Sequence, residues 1–491
     1  MLNRQQSISV SPYSQLYDLL IPKDHELRQI IELVDFSFVY SELKDAYCLD
    51  DGRNAIDPIQ MFKYLFLKVR YNLSDRDLVE RAKTDLSFKY FLGLDPESEV
   101  IHPSLLTKFR NQRLKDSALL DRLLTKTVEI AITEGVLKSN TIIVDATHTV
   151  SRFNPHHPIE ALRILEKTYR KYIHQTKLNQ KVAFPEKNVQ RDLEAEKRYA
   201  NELLNMLAKY PELNAYKAVT EAGNSLAEAL ADIRAHQVYS TDEDAKVGHK
   251  SKETSFFGYK SHLALSEEGI ITGAVISSGE KGDGQYLPQL VEQSEANGVT
   301  VNAIVGDRAY SGEPNLKYTN SRGILLFSRL LEQIANGRRD PESTWDFNKD
   351  AGMVVCPAGH MAVKVTRQNA PGKKRNPSWK YFMDIEKCKE CPFRNGCYRP
   401  GAKMKTYSIV DLSPEHSAQK KFQETAYFQE RVKERYRIEQ KNSEIKNRHG
   451  YGRSWSGGIQ NMRLQGAMTF FEANIQKIIK LRAEKNKQIE K

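Results

Sequence analysis

Between residues 435 and 446 the chain reads Arg-Tyr-Arg-Ile-Glu-Gln-Lys-Asn-Ser-Glu-Ile-Lys. At 3.6 residues per turn, Arg435, Glu439, Asn442 and Lys446 share one helix face, at i, i+4, i+7 and i+11. One carboxylate among cations is poor core material, because charged side chains are rarely buried unpaired. It suits a metal ligand beside a phosphate backbone, whereas an isolated run of this kind reads more simply as a solvated face with i,i+4 ion pairs. Two further carboxylates shift the balance. Asp145 closes the β-branched run Thr141-Ile142-Ile143-Val144, and Asp307 closes Val301-Asn302-Ala303-Ile304-Val305-Gly306. Each is expected at the end of a short buried strand. Three such carboxylates offer hard oxygen ligands for Mg2+ or Mn2+. Two such ions roughly 3.5–4 Å apart serve both the attacking and the leaving oxygen of a phosphodiester. Arg308, Arg435 and Lys446 would then hold phosphates of the cut strand. Glu444 lies about 140° around the helix from Glu439, so only one of the two can face those ions. Sharing a face with Arg435 and Lys446 favours Glu439.

These groups need a scaffold, and the pattern around them predicts one. Residues 25–135 read as helices, with Asp57-Pro58 and Ser74 as start signals. Lys108, Arg110, Asn111, Gln112 and Arg113 would let the third short helix touch a DNA backbone, as in a helix-turn-helix; a helical dimerisation module explains the pattern almost as well. A charged helical insertion follows Asp145. Strands are then expected at 258–265, 270–276, 301–307 and 324–327, with a helix over 284–296. This is an α/β layout with a mixed sheet, whose ligand sites lie near strand ends.

The net charge of +11 is uneven. Residues 361–410 hold 12 Lys/Arg against 3 Asp/Glu, and residues 431–491 hold 15 against 6, which leaves residues 1–360 net negative. Clustered positive charge is the footprint of a nucleic-acid partner. Four of the five cysteines fall between Cys356 and Cys397. Cys356, the Cys388-x2-Cys391 knuckle and Cys397 supply four thiolates, enough for tetrahedral Zn2+; His360 ranks lower as a ligand. Lys373, Lys374, Arg375 and Lys380 would make this insertion a DNA-contacting finger. Cys48 reads as a small buried apolar residue. Trp455 reads as a packed loop aromatic before a base-stacking one. Met1 to Lys23 lacks the apolar stretch of a secretory signal, and no apolar run approaches a membrane span, so a cytoplasmic location is expected.

The three carboxylate segments together resemble the DDE-type transposases of bacterial insertion sequences. Ile143-Val144-Asp145-Ala146-Thr147 resembles the family's first-Asp strand, and Gly306-Asp307-Arg308-Ala309-Tyr310 its second-Asp segment. Arg435, Glu439 and Lys446 match the third signature, but Val432 stands where the family has Tyr, so no role for that Tyr carries over. The resemblance implies an α/β fold with a ribonuclease-H-like mixed-sheet core. It implies an N-terminal helical DNA-binding or dimerisation domain (1–135). The catalytic core would be 136–335 plus 411–480, with a helical insertion at 152–240, and a zinc-ribbon-like insertion at 336–410. It further implies catalysis by Asp145, Asp307 and Glu439 with Mg2+ or Mn2+, structural Zn2+, and double-stranded DNA (terminal inverted repeats and target) as partner. A homodimer in the DNA complex and a nucleoid-associated location are also implied. A catalytically inactive, transposase-derived DNA-binding protein is the alternative, and a nuclease that hydrolyses without joining is a third possibility.

Overall fold

The computed structural model describes residues 11–47, 54–114, 119–153, 158–188, 192–236, 242–249, 255–331, 345–348, 351, 353–368, 378–410 and 412–489. Cys48, Lys373, Lys374 and Arg375 lie outside the described residues.

Eight helices open the chain: α1 (Gln15–Leu20), α2 (Glu26–Leu33), α3 (Ser37–Leu43), α4 (Pro58–Arg70), α5 (Asp75–Thr84), α6 (Leu86–Leu92), α7 (Ser104–Arg113) and α8 (Leu119–Thr133). The start signals act as read. Asp57 accepts the Ile59 N–H at 2.7 Å with Pro58 at the first turn, and Ser74 accepts the Asp77 N–H at 3.1 Å.

The sheet begins with β1 (Thr141–Val150), continues after the helical insertion with β2 (Lys246–His249), β3 (Ser255–Ser266), β4 (Ile271–Ser278) and β5 (Ala303–Gly306), and ends with β6 (Leu325–Phe327). β4, β3 and β1 are antiparallel neighbours. β5 and β6 extend the other side of β1 in parallel, and β2 pairs with the first residues of β3. The insertion folds on its own core from α9 (Pro158–His174), α10 (Leu193–Leu204), α11 (Met206–Lys209) and α12 (Lys217–His236). Between β4 and β5 lies α13 (Leu287–Ala296), and between β5 and β6 lies α14 (Glu313–Ser321).

The cysteine-rich region contributes a hairpin, β7 (Asp346–Asn348) and β8 (Met353–Val355), then β9 (Lys364–Gln368), β10 (Ser378–Met383), α15 (Ile385–Lys389) and β11 (Lys405–Val410). β9, β10 and β11 form their own antiparallel sheet over a small core of Val354, Ala362, Tyr381 and Met383. Four helices finish the chain: α16 (Pro414–Phe422), α17 (Ala426–Arg431), α18 (Tyr436–Asn447) and α19 (Ile459–Ile489).

One hydrophobic core runs from the N-terminal helices through the main sheet to α19. Phe471 of α19 meets Phe62 and Phe66 of α4 at ring distances of 5.8 and 6.0 Å, and α8 and α19 pack against each other and both against β4. Among the described residues no helix is long and apolar enough to cross a membrane.

Candidate active site

Asp145 is not at a strand end, contrary to the expectation from its apolar run. β1 continues for five residues beyond it, and Asp145 pairs with Leu263 of β3. The alternating Thr147, Thr149 and Val150 sustain the strand, and the first two are buried. What does end near Asp145 is the parallel ladder: Val144 is the last β1 residue paired with β5, opposite Gly306. Asp307 follows Gly306 directly, so both aspartates stand where β1 and β5 part, Asp145 still within β1 and Asp307 just past β5. The approach is tight. A Cβ on Gly306 would stand 2.9 Å from the Tyr310 ring and 3.0 Å from Val144, which excludes a larger residue there.

Asp307 is fixed by local bonds. Its carboxylate accepts the Ala309 N–H at 2.9 Å, capping the turn Arg308–Tyr310, and its carbonyl accepts the Ser328 hydroxyl at 2.5 Å. Burial pushes its carboxyl up, the Ala309 N–H opposes this, and the nearby Asp283 charge adds to the rise. Asp145 shifts further. Burial and then the Asp307 charge push its carboxyl up to about 7, against the pull of Arg435. Partial burial and neighbouring carboxylate charge thus disfavour the ionised form of both, an environment that a divalent cation would relieve.

The third element is α18. Ile438 and Ile445 form its fully buried stripe, and the helix packs against β1. Arg435, Glu439, Asn442 and Lys446 lie on one flank of that stripe, and Lys441 and Glu444 on the other. The first flank meets the aspartates: the Asn442 amide donates to Asp145 Oδ2 at 3.0 Å, and Lys446 Nζ lies 3.4 Å from His148 Nδ1. Glu439, half exposed, is ion-paired with Arg435. The second flank belongs elsewhere. Glu444 pairs with buried Lys441 at 2.8 Å and lies 4.0 Å from His449 Nε2. These cations hold its carboxyl well down, at about 2, despite burial.

Asp283 escaped the sequence reading, while Asn442 and Tyr310 were read only as members of the helix face and of the second-Asp segment. Asp283, in the turn before α13, acts on both aspartates and is held by Lys260 at 2.9 Å. Tyr310 is fully buried, its hydroxyl has no hydrogen-bond partner, and the charges of Asp145, Asp283 and Asp307 add to the burial that pushes it far up. Among the described residues, the buried Asn442 carbonyl oxygen beside Asp145 has no partner. The Gly282-Asp283-Gly284 signal was present but reads as an ordinary turn.

The other expected sites fare unevenly. Cys356, Cys388, Cys391 and Cys397 are free thiols that line one cavity of about 480 Å³ together with His360. A tight turn supports the first: the Gly359 N–H reaches the Cys356 carbonyl at 2.8 Å, with Gly359 at φ 77°. Burial and then the other three thiols push the Cys388 thiol up. Among the described residues, however, no three His, Cys, Asp or Glu side chains are gathered tightly enough to hold an ion. In α7, Arg110 is forked onto Asp75 at 3.0 and 2.5 Å and Arg113 is spent on the Ala46 carbonyl. Lys108, Asn111 and Gln112 remain exposed. Trp455 is packed against the core, with Lys68 Nζ 5.3 Å from its ring centroid. Arg308 is exposed beside Asp307.

Two carboxyls on neighbouring strands thus face the basic flank of α18. Residues 15–112 match the family described as "Transposase domain (DUF772)", and residues 355–479 match "Transposase DDE domain". Both matches support a DDE-type insertion-sequence transposase. The second match includes the cysteines and Glu439 but neither Asp145 nor Asp307. No curated protein and no solved structure matches the chain.

Proposed function

We propose that this transposase cuts DNA at transposon ends and transfers the 3′-hydroxyl to target DNA, with Asp145, Asp307 and Glu439 as its catalytic carboxylates. The observation that carries this reading is the Asn442–Asp145 bond. It turns the Arg435–Glu439–Lys446 face toward the two repelling aspartates, while Glu444 is engaged on the other flank. The strand order β4-β3-β1-β5-β6, antiparallel and then parallel, supports a ribonuclease-H-like core.

The donor set fits a divalent metal. Hard carboxylate oxygens, the partnerless Asn442 carbonyl and the mutual repulsion of Asp145 and Asp307 all favour a hard cation. When bound, Mg2+ or Mn2+ would activate the attacking oxygen and offset charge on the leaving one. Asp145 and Asp307 would hold it from the sheet. Glu439 would add its longer side chain from α18 after releasing Arg435, which frees that guanidinium for a strand phosphate. Arg308 and Lys446 would take neighbouring phosphates. Asp283, held by Lys260, keeps the pocket negative. The cysteine cavity offers Zn2+ four soft thiols around one space, and burial and then the other three thiols push the Cys388 thiol up.

Linear duplex DNA carrying the repeats that flank the gene tests the proposal. With Mg2+, the wild-type protein should nick those ends and join them to a second duplex. Asp145→Asn and Asp307→Asn should bind the ends and do neither. Cleavage retained in either variant would overturn the assignment.

A further inference from the structure

The helical insertion holds a second, separate site. An open cleft of about 820 Å³ is lined by Arg163, Lys167, Arg170, Lys171 and Lys187, with His174 at one end. The carboxylates of the catalytic region are not among its walls. Four of the five cations, with His174, share one face of α9, at i, i+4, i+7, i+8 and i+11 from Arg163. From Arg163 to His174 the helix spans about 16 Å, the rise of roughly five nucleotides in a duplex strand.

The acidic groups in the cleft are already accounted for. Glu196, buried on α10, accepts from Arg163 at 3.0 Å and from Asn188 at 2.8 Å. Glu166, also buried, faces Glu196, and burial together with that neighbour pushes its carboxyl up to about 8. Among the described residues its Oε1 has no hydrogen-bond partner. Arg170 is braced by the Tyr199 hydroxyl at 2.6 Å and lies 4.3 Å from the Phe184 ring. Lys167, Lys171 and Lys187 are exposed and make no ion pair or hydrogen bond among the described residues. The like-charge pairs Arg163–Lys167 and Lys167–Lys171, each i,i+4, cost the isolated helix a few tenths of a kcal/mol apiece. A polyanion laid in the cleft would reverse that cost.

We infer that this cleft binds the phosphate backbone of duplex DNA, as a contact separate from the catalytic region. The inference rests on the reading of the chain as a DNA-cutting enzyme. The walls favour DNA over a protein partner, since the large aromatic Tyr199 is spent on Arg170 and the His174 ring lies against Phe184, and protein interfaces rely on apolar and aromatic anchors. An extended row of cations with no base-reading geometry suits backbone contact without sequence preference. The cleft is also rooted firmly in the core. Ser151, where β1 leaves for the insertion, donates to Asp242 at 2.6 Å, and Tyr259 of β3 also bonds Asp242.

The test uses the full-length triple variant K167Q/K171Q/K187Q, which removes only unpaired lysines. Binding to linear duplex DNA is measured as salt is raised from 50 to 200 mM, with and without the terminal repeats. Each lost phosphate contact lowers the slope of log affinity against log salt by about 0.9, so the slope should become shallower by about 2 to 3, equally on both DNAs. The melting temperature and the cutting of end DNA at saturating protein should be unchanged. An unchanged slope would overturn the inference, as would a loss confined to repeat-bearing DNA. So would equal displacement by polyglutamate of wild-type and variant protein from DNA. Continued Mg2+-dependent cutting in any of those cases would leave the catalytic assignment standing, whereas no cutting by wild-type protein would count against that assignment alone.

Discussion

Asn442 of α18 donates to Asp145 of β1 across 3.0 Å and 297 positions of sequence. The bond fixes the rotation of α18 about its axis. With Asn442 at the aspartates, Glu439 stands on the same flank nearly one turn earlier, and Glu444 is carried to the far side of the Ile438–Ile445 stripe. A rotation bringing Glu444 to Asp145 would pull Ile438 and Ile445 out of the core.

The two glutamates should therefore fail differently. Glu439→Gln should leave the melting temperature within a degree or so and reduce cutting and joining together, on the order of 10²- to 10³-fold, as when one preorganised charge group is lost. Glu444→Gln leaves buried Lys441 without its carboxylate and His449 with Glu472 alone, and should lower the melting temperature, while the folded fraction still cuts. A thermal melt and an end-cleavage assay on both variants check this; the reverse pattern would exchange their roles.

Asp145 makes stability depend on pH and metal together. Its folded pKa of about 7 lies above the unfolded value of about 4, so the unfolded chain gives up its proton first as pH rises. Metal-free protein should thus lose stability between about pH 4 and 7, and the deficit persists above that. A bound divalent cation reverses the penalty. Mn2+ should raise the melting temperature by several degrees at pH 8 and far less at pH 5. Asp145→Asn should raise the metal-free value at pH 8 and abolish the Mn2+ gain.

A buried ion chain joins the N-terminal helices to α19 and then to α18. Arg70, from α4, pairs with Glu26 and with fully buried Glu472 at 3.2 Å, and Glu472 lies 3.0 Å from His449 Nδ1. Burial pulls the His449 imidazole down, but Glu444 and Glu472 more than offset it. Arg70→Met leaves Glu472 in the core with only His449 to compensate it and should cost about 3–5 kcal/mol in urea unfolding. Lys83→Ala, which breaks the exposed Lys83–Glu80 pair, should cost less than about 1 kcal/mol.

If Zn2+ fills the cysteine cavity, purified protein should carry about one zinc per chain. Cys356, Cys388, Cys391 and Cys397 should then resist thiol reagents until a chelator is added. Cys388→Ser should release the metal and expose the β9–β11 sheet to protease, because that core of four residues is too small to hold alone. Zinc-free protein with fully reactive native thiols would exclude the site.

Much of this site was legible because helical periodicity is strict. The face of Arg435, Glu439, Asn442 and Lys446 follows from spacing alone, as does the exclusion of Glu444. The extent of β1 was not, since Thr147, His148 and Thr149 dilute the apolar signal once β5 no longer covers the strand. Asp283 gave no distinguishing signal, because aspartate between glycines is ordinary turn chemistry. Arg110 and Arg113 looked like DNA contacts, and only the fold shows them occupied by Asp75 and Ala46. The three-stranded sheet β9–β11 was hidden by its polar, half-buried strands.

The gap in β1 has one more effect. On the side facing away from β3, β1 is paired up to Val144 and again at Val150, where Gly452 and Ser454 bond its backbone. Between those points, among the described residues, no strand lies alongside, and α18 packs there instead. An uncovered strand edge is a template for another chain, so the helix that delivers Glu439 also acts as a stopper against self-association. Truncated copies of the gene ending before residue 436 would expose that edge and aggregate. Such copies would be lost as insoluble chains before they could occupy transposon ends as inert competitors of the intact enzyme.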